Sequence, residues 1–166
     1  MPVQNMDDSL SNFDVFLSNE IFSSLDQEGR QKIARLLKTL HFRPGEYMLR
    51  AGEKTNSGLY IVMKGQLDAL VHPASGETQV VGVLGPGAIF GEMELLTGQT
   101  RQASIQGKTS GELVYLPKSD FEQIIQDYSE ILNQMGEIVH RRFRRNQLAQ
   151  ILPSFLARFL LKRLRR

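Results

Sequence analysis

Between Phe42 and Leu116 the chain breaks into short apolar, β-type runs separated by glycine or proline. Such runs predict β-strands, at residues 47–50, 58–63, 66–72, 78–84, 103–106 and 112–116. His72-Pro73-Ala74-Ser75-Gly76 supplies a turn between two of them. On either side the apolar spacing is that of a helix. Ser24 with Gln27 three residues later resembles a capping box, and Ile33, Leu36, Leu37 and Leu40 follow at helical spacing, predicting a helix to about Thr39. Ser119-Asp120-Phe121-Glu122 opens a second helix with Phe121, Ile124 and Ile125 inward. Ser129 opens a longer third helix through Ile131, Leu132, Met135, Ile138 and Val139 towards Arg145, with Pro153 as its end or kink. The order is helix, about eight strands, two helices. So many short, closely spaced strands predict a β-sandwich or β-roll rather than a parallel sheet.

Composition narrows the function more than the fold. The 166 residues suit one domain, and 41% hydrophobic with 23% charged residues is ordinary for a globular chain. No cysteine is present, which excludes disulfides, thiolate metal sites and iron–sulfur clusters. No apolar stretch approaches the ~20 residues that span a bilayer, and the opening residues carry no secretory pattern, so a cytoplasmic setting is expected. The net charge of +2 hides an asymmetry. Residues 141–166 hold nine basic residues and no acid, and taking nine from +2 leaves −7 for residues 1–140. An acidic body is not the footprint of a nucleic-acid-binding surface.

One segment carries chemistry: Phe90-Gly91-Glu92-Met93-Glu94-Leu95-Leu96-Thr97-Gly98-Gln99-Thr100-Arg101-Gln102-Ala103. Gly91 permits close backbone approach, and the residues after it suit a single helical turn whose free N–H groups seat an anion. Gly98 permits a sharp bend. Arg101 then brings a guanidinium able to grip a phosphate through two parallel hydrogen bonds. Glu92 beside that seat suits a sugar hydroxyl.

With this segment, Phe42-x-Pro44-Gly45-Glu46, Gly52, Leu59-Tyr60-Ile61-Val62, Gly65-x-Leu67 and Gly87-x-x-Phe90-Gly91-Glu92 followed by Arg101-x-Ala103 form an ordered set. The set resembles the cyclic-nucleotide-binding domain of catabolite-activator-type regulators, kinase regulatory subunits and cyclic-nucleotide-gated channels, over residues 21–146. The resemblance implies a mainly β fold with flanking α: an eight-stranded antiparallel β-roll with an N-terminal helix and C-terminal lid helices. Residues 1–20 would be an arm and 147–166 a basic amphipathic tail. It implies a non-enzymatic module that binds a 3′,5′-cyclic nucleotide, cAMP slightly favoured over cGMP, with no further cofactor. Phe90, Gly91, Glu92, Met93, Glu94, Arg101, Gln102 and Ala103 would form the ligand segment: Glu92 on the ribose 2′-hydroxyl, Arg101 on the cyclic phosphate, and the Gly91 and Glu94 N–H groups with Gln102 completing the cradle. Ile138, Val139 and Arg142 would be lid residues, the last by counting to the position where a channel of this family packs an arginine on the base. Two positions depart from the pattern. The place of Glu94 usually holds a small residue, where a carboxylate would repel the ligand or turn outward; Gln102 matches neither the cAMP nor the cGMP preference.

Other features carry blander readings. Arg101 alone would be an exposed arginine or a partner of Glu92, worth little. His41, His72 and His140 are too scattered for a metal site, and no nucleophile–base pair or phosphate loop of the Walker type appears, so catalysis is not expected. Leu148, Ile151, Leu152, Phe155, Leu156 and Phe159 share one arc at ~100° per residue. Packing on its own domain, on a twin chain or on a neighbouring effector ranks ahead of an anionic membrane. The 20 residues after 146 are too few for a helix-turn-helix domain. The alternative to a sensor is a ligand-free interaction or dimerisation domain on the same fold.

Overall fold

The computed structural model describes residues 15–145, with side chains as far as Arg141. A 3₁₀ turn at Glu20–Phe22 leads to α1 (Gln27–Leu36), eight strands with α2 (Glu92–Thr97) among them, then α3 (Lys118–Asp127) and α4 (Glu130–Arg145). The strands are β1 (Lys38–Phe42), β2 (Tyr47–Leu49), β3 (Gly58–Lys64), β4 (Leu67–Val71), β5 (Gln79–Leu84), β6 (Ile89–Phe90), β7 (Ser104–Gly107) and β8 (Gly111–Pro117). They form two four-stranded sheets of order β1-β8-β3-β6 and β2-β7-β4-β5, every pairing antiparallel. This is the expected eight-stranded antiparallel roll with helices at both ends.

Strand periodicity divides the core in two. Successive side chains of a strand face opposite ways. On β3, Leu59, Ile61 and Met63 join the cluster beneath the helices, with Phe16, Phe22, Ile33, Phe121, Ile124, Ile131, Met135 and Val139. The alternate Tyr60 and Val62 face the roll interior with Phe42, Leu49, Leu67, Phe90, Ile105 and Leu113. β8 repeats the division, Val114 and Leu116 going to the helices and Leu113 to the roll. A strand covered on both faces reads as a continuous apolar run, as Leu59-Tyr60-Ile61-Val62 does.

Several local expectations are corrected. α1 is capped by Asp26, whose Oδ1 accepts from the Gly29 N–H at 2.8 Å, rather than by Ser24; Leu25, which a Ser24 cap would put in the first turn, is buried in the core instead. α1 also stops at Leu36 because Lys38–Phe42 pairs with β8, Lys38 opposite Tyr115 and Phe42 opposite Gly111. Leu40, expected on the helix face, therefore stands exposed on an edge strand. α3 begins at Lys118, straight out of β8, with Pro117 in the cap position and no capping side chain, so Ser119 lies inside it. β1 and the two-residue β6 were not marked by the pattern. Phe16, within the stretch expected to be an arm, is buried with its ring centroid 4.5 Å from that of Phe22. Pro153 and the tail 147–166 lie outside the described residues, and among those described no helix is long and apolar enough to cross a membrane.

Candidate functional site

The site is built around α2, which leaves β6 through Gly91 at φ +81°. A Cβ at Gly91 would stand 2.3 Å from the Gly58 carbonyl oxygen and 3.0 Å from Tyr60 Cδ2. The close approach foreseen for this glycine is therefore to β3 of its own chain. Both the left-handed backbone and the contact require glycine. At the other end Gly98, at φ +68°, returns its N–H to the Glu94 carbonyl at 2.8 Å. Thr97 Oγ1 donates to the Met93 carbonyl at 2.7 Å and accepts from the Gln99 N–H at 3.2 Å, fixing the bend.

Past that bend Arg101 turns back onto α2. Its backbone is pinned by the Gly52 N–H, which donates to its carbonyl at 3.0 Å. Its side chain is 6% exposed, and Nη2 lies 2.9 Å from Glu94 Oε2, itself on a side chain 5% exposed. Nη1 donates to the Glu53 carbonyl at 3.3 Å. The other Glu94 oxygen accepts from the Ser57 hydroxyl. Glu94 thus neither turns outward nor stands clear of Arg101: it is the guanidinium's ion-pair partner, the role foreseen for Glu92 in the blander reading. The Nη2–Oε2 contact is an ion pair by distance without the alignment of a hydrogen bond. Arg101 Nε, Arg101 Nη2 and Glu94 Oε2 are accordingly buried without a hydrogen bond among the described residues.

A stacked aromatic wall stands behind the pair. Tyr60 lies with its ring centroid 4.8 Å from Phe90 and 4.5 Å from Tyr115. The Tyr60 hydroxyl donates to the Asn56 carbonyl at 2.6 Å and that of Tyr115 to the Ser57 carbonyl at 3.0 Å. Burial first, then the neighbouring Tyr115, pushes the Tyr60 phenol well above its ordinary value, and burial also raises Tyr115.

The expected ligand segment is brought together only in part. Glu94 and Arg101 meet, and Glu92 is buried beside them in the first turn of α2 at 2% exposure. Phe90 and Met93 pack into the two cores. Gln102 is exposed, its amide folded back on the Thr100 carbonyl at 3.2 Å. Ala103 is half-buried in the bend just before β7. Of the lid candidates, Val139 is buried and Ile138 half-buried against the helix-side core; the backbone of Arg142 is helical, and its side chain lies outside the described residues. The sequence reading missed Ser57, Asn56 and the Glu53 carbonyl. They sit in a polar loop, Glu53-Lys54-Thr55-Asn56-Ser57, whose composition says turn and nothing about the partner it meets; Asn56 at φ +55° is its one unusual residue. Among the described residues no group of three or more His, Asp or Glu is placed to hold a metal ion.

Comparison with known proteins agrees with the geometry. The chain is 25% identical to the regulatory domain of Toxoplasma gondii PKA, solved with cAMP, at a TM-score of 0.67, covering 76% of this chain and 48% of that one. It is equally similar, at 25% identity and TM-score 0.67, to the Thermus thermophilus catabolite activator protein, covering 76% of this chain and 59% of that one. Lysophospholipase nte1 of Aspergillus terreus is 28% identical over 108 residues, 65% of this chain. The chain spans only 7% of that protein's length. The model of the cyclic nucleotide-binding domain matches residues 39–128, more than half of the sequence and all of the roll except the start of β1; this chain belongs to the cyclic nucleotide-binding domain family.

Proposed function

We propose that the chain is a regulatory module that binds a 3′,5′-cyclic nucleotide, cAMP slightly favoured over cGMP, and relays occupancy through α4. The observation that carries this is Arg101: a guanidinium 6% exposed at the open end of a short turn, with Nε and Nη2 unused for hydrogen bonding among the described residues. Unmade hydrogen bonds of a buried charge are costly, and the oxygens of a phosphodiester are shaped to satisfy two of them at once. The first turn of α2, whose N-cap Gly91 makes no side-chain cap bond, adds backbone N–H donors that the helix itself does not use. The cAMP in the Toxoplasma gondii relative supports the choice of base.

A physical route for the relay exists. α2 touches α4 directly. α4 is in turn tied to the 3₁₀ turn by Arg141 on Glu20 and by Gln134, whose amide lies 2.9 Å from Ser23 Oγ. A ligand that draws α2 inward changes the surface on which α4 rests, and it shifts the population only by its preference for that arrangement. The module itself would carry out no reaction; its effector would be a neighbouring domain or a second copy, reached through α4 and the basic residues beyond.

Isothermal titration with cAMP and cGMP tests the reading. Arg101→Ala is expected to weaken binding by about 2–5 kcal/mol; heat that persists unchanged in the variant removes Arg101 from the site. A second reading, a ligand-free interaction or dimerisation domain, is favoured by the Glu94–Arg101 pair, which already neutralises the guanidinium. It expects no thermal shift with either nucleotide, and altered self-association once residues 147–166 are deleted.

A further inference from the structure

Resting on the reading of Arg101 as the phosphate hook, we infer that Glu94 is the residue that sets this site's selectivity: its carboxylate is a built-in occupant of the anion seat, and a phosphate-bearing ligand binds only by exchange with it. The carboxylate is gripped at both oxygens, by the Ser57 hydroxyl on one and the Arg101 guanidinium at 2.9 Å on the other. The latch is stiff. The Ser57 carbonyl holds the Tyr115 hydroxyl at 3.0 Å and the Lys118 N–H at 2.9 Å, so Ser57 is tied to β8 and to the start of α3.

Charge makes exchange obligatory. Arg101 brings one positive charge, which the Glu94 carboxylate at 2.9 Å already offsets; Glu53 contributes its carbonyl. Adding a phosphodiester monoanion while Glu94 stays in place sets two negative charges within about 4 Å. At an effective dielectric of about 20 that costs on the order of a thousandfold in affinity. Exchange avoids the penalty, because the guanidinium trades one oxyanion for another. The unused Nε and Nη2 donors mean that Glu94 satisfies Arg101 incompletely, which leaves a forked phosphate the better geometric partner. Specificity then arises by repulsion as much as by attraction: a ligand without phosphate gains nothing from displacing Glu94.

The test is calorimetric titration of the full chain with cAMP and with adenosine, for wild type, Glu94→Gln and Ser57→Ala. Glu94→Gln keeps size and the Ser57 contact while removing the charge, and is expected to bind cAMP at least about tenfold tighter than wild type, with adenosine unchanged. Ser57→Ala leaves both charges and loosens only the latch; it is expected to tighten cAMP binding by a few-fold, and it reads the same claim if Glu94→Gln does not fold. Binding of cAMP by Glu94→Gln alone, with wild type silent, supports the inference in its strongest form. Wild-type binding that neither variant tightens overturns the inference while leaving the phosphate hook intact. An equal gain for adenosine overturns it as well, since the change would then act through space rather than charge. Folded variants that all stay silent to cAMP and cGMP overturn the inference and the proposed function together.

Discussion

Replacing Arg101 by methionine keeps most of the stem volume and deletes the charge, leaving the Glu94 carboxylate, 5% exposed, with the Ser57 hydroxyl as its remaining partner of the two. Removing one member of a buried ion pair costs about 3–5 kcal/mol, because the other is stranded away from water. The lost Nη1 bond to the Glu53 carbonyl, long at 3.3 Å, adds at most about 1 kcal/mol. Glu94→Leu strands the guanidinium in the same way. The double replacement, Glu94→Leu with Arg101→Met, strands neither and fills the site with apolar volume, so it is expected within about 2 kcal/mol of wild type. The cycle should therefore yield a coupling of at least about 4 kcal/mol, far beyond the few tenths found for independent sites. Urea unfolding followed by circular dichroism measures it, provided the m-value stays constant across the four proteins. Each single variant should lower the midpoint by about 1–3 M and the double should recover most of it. Additive losses, or a double variant worse than either single one, would refute the buried coupling on which both the site and its proposed selectivity rest.

Three further outcomes are expected. Gly91→Ala forces an L-residue to φ +81° with its Cβ 2.3 Å from the Gly58 carbonyl oxygen; it should cost more than about 2 kcal/mol in the same urea assay and abolish cAMP binding by lifting α2 off β3. Tyr60, whose phenol is raised above 10 by burial, stays neutral in the folded state while the unfolded chain ionises. Its contribution is whole below pH 10 and is lost as pH climbs above it, by up to about 1.4 kcal/mol per pH unit; Tyr60→Phe should flatten that alkaline decline of the thermal midpoint, and an unchanged slope would contradict the burial. Met135→Ala, at a position fully buried where α4 meets the helix-side core, should cost about 2–5 kcal/mol, whereas Arg141→Ala, which breaks an exposed pair, should leave the urea midpoint nearly unchanged.

Much of the fold was legible because burial imprints a period. The continuous run on β3 and the helical spacing of Phe121, Ile124, Ile131, Met135 and Val139 record which faces are covered. Where the reading failed, a distant partner outweighed local preference. Lys38–Phe42 became a strand because β8 lies beside it, its partners 69 (Phe42 to Gly111) to 77 (Lys38 to Tyr115) residues on, and β6, two residues long, is too short to show a period. Asp26 displaced Ser24 as the cap because Leu25 is drawn into the core.

The candidate site divides in the same way. Sequence alone determined that a glycine-flanked turn and an arginine seven residues beyond Glu94 would meet on a β-roll, since turn chemistry and short-range spacing are written locally. The family resemblance added that Glu94 stands where a small residue is usual, so that its carboxylate would repel the ligand or turn outward. What only the tertiary structure decided was where that carboxylate goes. Its partners are Ser57, 37 residues away in a loop of no distinctive composition, and Arg101, reached only after Gly98 folds the chain back. Glu92 and Glu94 stand about 200° apart around the turn, so which of them faces the guanidinium depends on the rotation at which α2 is seated. That rotation is set by the contact of Gly91 with β3, a packing constraint between segments that no local pattern encodes.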